Sequence, residues 1–403
     1  MKTKLTLFVA VIAVALFGNG CASVNIPNNS YHPDAGKLVW KHQFESGRDP
    51  YVWALDKAGY VYLGGYHLGG IMLDSDTGKF VSKSQGAYSV VIPDNGVLYS
   101  THRGTVNALP AALNLPKSSG VEKIKWDLRI GSNVHAGTGF LSIGEDGTVY
   151  IGYMGGVWSI DGKIGKINWQ LKPDELAGGT WGGPSVVAGG KNLYVADGSK
   201  VFAFDAKTKK MIWRVEIQDA PTSHPAIGDN GILYIGSKGK LVGLDLKTGE
   251  IKWQTRINAT PSGVVTIGKD GTVYFGSRNG FYAFDGKTGA WKWDQPLAKG
   301  VAGSAIDDRG VIYVSYNRGE NIPEARGVYA LNPTDGAILW DYQLAEGENW
   351  VRKTDYSPMI GEGGLVYFAT PKAVYAIQGN GFGPANSAWP MRGQNAQRTN
   401  RAR

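Results

Sequence analysis

The chain has 403 residues, 42% hydrophobic and 19% charged, with 58 glycines, 13 tryptophans and one cysteine. That much apolar content with so few charges excludes a disordered chain, and a lone cysteine excludes an intrachain disulfide. The net charge of +8 falls to +6 without Lys2 and Lys4, a mild excess with no basic helix behind it, so nucleic acid is not indicated as a partner.

Residues 1–20 place Lys2 and Lys4 ahead of the apolar run Leu5–Phe17. The run is too short to span a bilayer comfortably and reads as a secretory signal. Cys21 follows Gly18-Asn19-Gly20. Its setting resembles the cleavage and acylation site of bacterial lipoproteins, although Gly18 stands where leucine is usual. The resemblance implies a lipid anchor on Cys21, with palmitate among its chains, each buried methylene contributing about 0.8 kcal/mol. Ala22 rather than an aspartate next to the cysteine leans, by the same analogy, towards the outer membrane. Residues 21–35 are polar, with Asn and Pro, and are expected to form a tether.

Gly36-Lys37-Leu38-Val39-Trp40 looks like the last third of a repeat with nothing in front of it. Full copies follow. A short β-branched and aromatic strand of the VYxG type recurs with its tyrosine at Tyr62, Tyr99, Tyr150, Tyr194, Tyr234, Tyr274, Tyr313 and Tyr367. Four of these tyrosines lie 11 residues before a turn aspartate (Asp161, Asp205, Asp245 and Asp285), and each aspartate lies 8 before a tryptophan. Asn332 and Trp340 keep the same spacing of 8. A unit of two or three short strands cannot bury its own faces, so such copies must stack on one another. The last copy, around Tyr367 and Val374–Ile377, lacks the third that the N-terminus supplies.

The pattern Ala-x-Asp-x-x-Thr-Gly-x-x-x-Trp after a VYxG strand, clearest at Ala283–Trp293 and Gly243–Trp253, closely resembles the repeats of the PQQ-like (quinoprotein) β-propellers. The resemblance covers almost all of residues 36–391. It implies an all-β fold: an eight-bladed propeller of four-stranded antiparallel blades, the last closed by an N-terminal strand. Seven blades would result if the degenerate repeat at Asp94–Trp126 failed to form one. Trp40, Trp126, Trp169, Trp213, Trp253, Trp293 and Trp340 are expected to pack across the seams between blades. Small residues ahead of the VY strands, such as Pro184-Ser185 and Gly303-Ser304, suit the crowded strands around a central channel.

The departures are local. Ser82 stands where a tryptophan is expected, Pro110 stands at a turn aspartate, and Lys209 replaces a turn glycine. Insertions fall at Ala111–Lys123, Asn317–Arg326 and Gly347–Tyr356. In the last of these, Trp350, Arg352 and Tyr356 form an aromatic-plus-arginine group suited to a protein contact or, in the case of Trp350, to plugging the channel. Trp389-Pro390-Met391 begins a WPM…QRT segment seen in secreted propellers of this family and is expected to dock on the ring with Trp389 buried. Residues 392–403, with four arginines, form a basic tail.

Candidates for chemistry are sparse. The six histidines show no HxxxH or HExxH spacing, which argues against a metal site. There is no GxSxG elbow. The turn aspartates supply too few oxygens for calcium and should cap turn amides instead. Alcohol-oxidising relatives in the PQQ family usually carry an adjacent cysteine pair, which a single cysteine cannot provide. The expectation is therefore no cofactor and no catalytic residue. By resemblance the chain is a lipid-anchored periplasmic scaffold of the outer-membrane protein assembly type, meeting a β-barrel insertase and unfolded barrel precursors. The alternatives are a propeller that binds glycan or another envelope protein, and a PQQ-dependent dehydrogenase.

Overall fold

A computed structural model describes residues 32–44, 51–64, 70–84, 89–93, 95–102, 104–110, 124–131, 140–153, 156–177, 183–257, 264–277, 279–297, 301–317, 326–344, 357–370, 372–392 and 394–395. They form eight four-stranded antiparallel sheets. Blades 1 to 7 occupy residues 51–84, 89–129, 140–171, 185–216, 226–256, 266–295 and 301–343, and blade 8 combines 359–378 with 38–43. Within blades 1 to 7 the strands run outwards in chain order, and the first strands of blades 1 and 2, 2 and 3, 3 and 4, 6 and 7, and 7 and 8 touch one another.

Blade 5 shows why these residues choose these places. Its first strand, Ala226–Ile227, is small and buried; its second and third, Ile232–Ser237 and Lys240–Asp245, are buried almost throughout. Strands covered on both faces by neighbouring blades need such continuous apolar runs. The outer strand, Ile251–Arg256, alternates between exposed and half-buried positions, as a strand at the rim should. Blade 2 is complete despite Pro110, which ends its third strand opposite Val97, and Ala108 pairs with Trp126 as Ala203 pairs with Trp213. The ring therefore has eight blades rather than seven. It closes as the repeat fragments require: Leu38–Gln43 runs antiparallel to Ala373–Gln378, with Trp40 opposite Ala376 and Gln43 opposite Ala373. This gives the last blade its fourth strand.

In blades 1, 3, 4, 5 and 6 the turn before the outer strand is capped by its aspartate. Asp245 Oδ1 accepts the Lys247 and Thr248 amides at 2.9 and 3.0 Å, and Asp205 and Asp285 repeat the arrangement. Amides donated to the charged carboxylate hold Asp245 down to about 2. Gly249 then takes φ +75°, and a Cβ there would lie 2.6 Å from the Trp213 ring, so both the backbone and the neighbouring blade demand glycine. Lys209 adopts the same left-handed conformation, φ 64°, with its ammonium 2.7 Å from Glu175.

Those turns receive the tryptophans. In seven blades the indole N–H reaches the next blade; in six it donates to the carbonyl of the residue after the turn Asp or Asn, and in blade 7 to the Asn380 side chain, one residue beyond the equivalent position. Trp40 meets Ser75 O, Trp126 Gly162 O, Trp169 Ala206 O, Trp213 Leu246 O, Trp253 Gly286 O, Trp293 Pro333 O and Trp340 Asn380 Oδ1, all at 2.7–3.2 Å. Tyr99, Tyr150, Tyr194, Tyr234 and Tyr367 donate their hydroxyls to the same carbonyl as the tryptophan of their own blade. Each such Tyr–Trp pair is tilted, with ring centroids 5.9 Å apart. The expected seam packing is thus a specific aromatic clasp. Ser82, opposite Met72 in blade 1, occupies the eighth tryptophan position.

Candidate interaction surface

The rim is where the ring offers unused backbone. Every outer strand is the last of its sheet, so its far edge can accept another strand. Two residues before each repeat tryptophan, or before Ser82, an apolar side chain is exposed: Leu38, Phe80, Ile124, Ile167, Met211, Ile251, Trp291 and Ile338, at 38–55%. Singly such residues are ordinary; at the same position in all eight blades they make a belt. In blade 4 the register shifts between Phe204–Met211 and Ala203–Trp213, leaving Ile212 as a bulge, and all blades but the second repeat this. A bulge twists an edge and tempers its pairing. The sequence carries this signal openly, as an apolar residue two before every tryptophan, but only the placement of the outer strand shows that it is exposed.

The C-terminal segment, residues 379–392, crosses from blade 8 to the channel side of blades 7 and 6. The Ile267 amide donates to Trp389 O at 2.7 Å, the Ile306 amide to Pro390 O at 2.8 Å, and the Ala385 amide to Ile306 O at 2.8 Å. Trp389, 1% exposed, joins the apolar cluster of blades 4 to 6, and Met391 that of blades 7, 8 and 1. The docking expected of Trp389 is therefore an added inner strap. Arg392 and Gln394 are also buried.

Asp307 ties the strap to blade 7. Its carboxylate accepts the Arg309 and Val311 amides, the Tyr313 hydroxyl at 2.6 Å and the strap's Gly381 amide at 2.8 Å. Asp308 accepts the Phe382 amide, and the Arg309 guanidinium lies 5.1 Å from the Phe382 ring centre. Burial outweighs these donors and pushes Asp307 up to about 6, and Tyr313 is raised by burial and then by the Asp307 charge. In blades 3, 5 and 6 a glycine (Gly144, Gly228 or Gly268) holds the matching turn position, so the two acids in blades 1 and 7, Asp56 and Asp307, were a signal available in the sequence.

A crevice of about 160 Å³ opens between blades 4 and 5, lined by Ser185, Thr222, Ser223 and His224 with Gly183, Ala196, Gly198 and Pro221. Ser185 Oγ and His224 Nδ1 are 2.6 Å apart, and among the described residues that line the crevice none is a carboxylate. Among the described residues no group of three His, Cys, Asp or Glu side chains could hold a metal ion, and no helix is long and apolar enough to cross a membrane. The seven repeat tryptophans are all placed as seam residues. Cys21, and the suggested contact group Trp350, Arg352 and Tyr356, lie outside the described residues.

A protein-family model described as outer membrane protein assembly factor BamB matches residues 154–309 and 237–383, together more than half of the chain. Among solved structures, the computationally designed Ika8 protein is similar at TM-score 0.65 and 13% identity, covering 83% of this chain and 98% of that one. BamB from Moraxella catarrhalis is similar at TM-score 0.57 and 18% identity, covering 85% and 97%. Sqt1 from Saccharomyces cerevisiae is similar at TM-score 0.63 and 14% identity, covering 83% and 97%. At these identities the likeness establishes the propeller fold. A comparison with curated proteins finds no match.

Proposed function

The chain belongs to the BamB family of outer membrane protein assembly factors, and from that premise we propose that it is a non-catalytic scaffold that assists the insertion of β-barrel proteins into the outer membrane. In this reading Cys21 carries the lipid that holds the ring at the periplasmic face of that membrane. The partners are the insertase BamA and unfolded barrel precursors, and no cofactor takes part. One observation carries the reading beyond family membership. The ring presents eight outer strand edges, each beside an exposed apolar side chain, which is the equipment for holding extended, strand-forming chains without chemistry.

Affinity capture of the full-length protein from detergent-solubilised membranes tests the proposal. Recovery of BamA in stoichiometric amount is expected. Reproducible recovery of other envelope proteins without BamA would overturn it. A second reading, glycan binding, is favoured by the hydroxyl and imidazole groups of the Ser185–His224 crevice, and a glycan array with a Ser185→Ala control separates the two.

A further inference from the structure

We propose that the gap between the inner strands of blades 6 and 7 is a peptide-binding site, which the chain fills with its own Trp389-Pro390-Met391 and for which strand-forming segments of unfolded clients compete. The site stands on contacts within the chain; the clients rest on the scaffold reading above. All eight sheets are complete by residue 378, and residues 379–392 belong to none of them. The strap nevertheless makes strand-like bridges, with Trp389 opposite Ile267 of blade 6 and Met391 opposite Ala305 of blade 7. Residues 389–391 thus lie between two strand edges and are bonded to both. Trp389 O accepts the Ile267 amide at 2.7 Å on one side, and Pro390 O accepts the Ile306 amide at 2.8 Å on the other. Proline suits this place, because the seat asks for carbonyls and Pro390 has no amide to leave unpaired.

Both bonds go to main-chain carbonyls, so the seat reads an extended backbone, as strand addition does elsewhere. Selectivity comes from the side chains on either side of the proline. Trp389 enters the cluster that includes Ile227, Ile267 and Phe275, and Met391 the cluster that includes Ala305, Met359 and Ile360. Two large apolar side chains two residues apart are what a half-buried strand presents on one face. The class of ligand is therefore an extended segment with an apolar, preferably aromatic, residue two before another apolar one. The strap is held close to the seat, since the Gly381 amide is tied to Asp307 and the Phe382 amide to Asp308. An occupant tethered so closely acts at an effective concentration of about 1 mM. It excludes stray peptides, whereas a client already paired with the rim is presented at a comparable concentration and can exchange with it.

A fluorescent peptide with the sequence of residues 383–392 reads the site by anisotropy against the full-length protein. In Trp389→Ala the chain's own strap has lost its anchor and the seat is unchanged. This variant is expected to bind the peptide about 100-fold more tightly than the wild type does, the ratio of an effective concentration of about 1 mM to a peptide Kd of about 10 μM. A peptide with alanine in place of both its tryptophan and its methionine should bind neither protein. Met391→Ala serves with the same expectation if Trp389→Ala does not fold. Equal affinity of wild type and a cooperatively melting variant would overturn the site. An outer-membrane barrel protein diluted from urea should displace the bound peptide. Failure of that displacement would leave a second copy's strap as the occupant and overturn the client, whether or not BamA is captured.

Discussion

A single carbonyl explains why the repeat needs both of its aromatic residues. Gly286 O receives the Trp253 indole at 3.2 Å and the Tyr234 hydroxyl at 3.0 Å. Trp253→Phe keeps a ring in the seam and leaves Gly286 O bonded to Tyr234, so it should cost only about 1–2 kcal/mol. Trp253→Ala empties the site and should cost about 3–5 kcal/mol. Chemical denaturation of the two variants checks the gap, and equal losses would show that the hydrogen bond dominates. Burial pushes Tyr234 up to about 12, so this donor keeps its proton at any pH the protein meets. Asp307 titrates in an accessible range. Its folded value, about 6, lies above the ordinary 3.8, so the folded state binds the proton more tightly than the unfolded chain. Stability should therefore rise as the pH falls through 6 towards 4, by up to about 3 kcal/mol. The capping aspartates act in the opposite sense and only at lower pH, as Asp245 at about 2 shows. Denaturation midpoints at pH 7 and 5 should show the rise in the wild type and a smaller one in Asp307→Asn.

Among elements, the strap has the most testable role. Trp389 contributes its side chain to the cluster of blades 4 to 6 and its carbonyl to Ile267. Trp389→Ala should lower stability by about 3–5 kcal/mol and expose residues 379–392 to protease while the blades survive. Cleavage first within a blade would contradict this. The strap also marks how far the sequence could be read. Its docking and the burial of Trp389 were legible, because Trp389-Pro390-Met391 resembles a segment seen in secreted propellers of this family. Its pairing with Ile267 and Ala305 was not, because those strands become neighbours only when the ring closes. The blades were legible from the tyrosine, aspartate and tryptophan spacing, including closure by the Gly36–Trp40 fragment, which the structure realises as the strand Leu38–Gln43. Blade 2 was doubtful because Pro110 removes the turn signal, yet a proline at the end of a strand leaves the ladder before it intact. The rim belt was visible as a pattern but had no meaning until the fourth strand was known to be the outermost.

For the molecule as a whole, the clasps point one way round. Each of the seven repeat tryptophans reaches forward into the following blade, so the ring is a head-to-tail assembly whose units are covalently joined. Such a body is a rigid frame, and a lipid on Cys21 would turn it into one held at a surface. Cys21→Ser should move the protein from the membrane pellet to the soluble fraction without changing its melting temperature. Unchanged pelleting of the variant would remove the anchor.

The fourth strand of blade 8 has a consequence for timing. Residues 38–43 are synthesised long before their hydrogen-bonding partners at 373–378. Until residue 378 exists, the opening strand has nowhere native to go, and an apolar edge waits unprotected. Contacts this distant in sequence are slow to form. Blade 8 should therefore be the last of the eight to acquire its full hydrogen-bonded sheet.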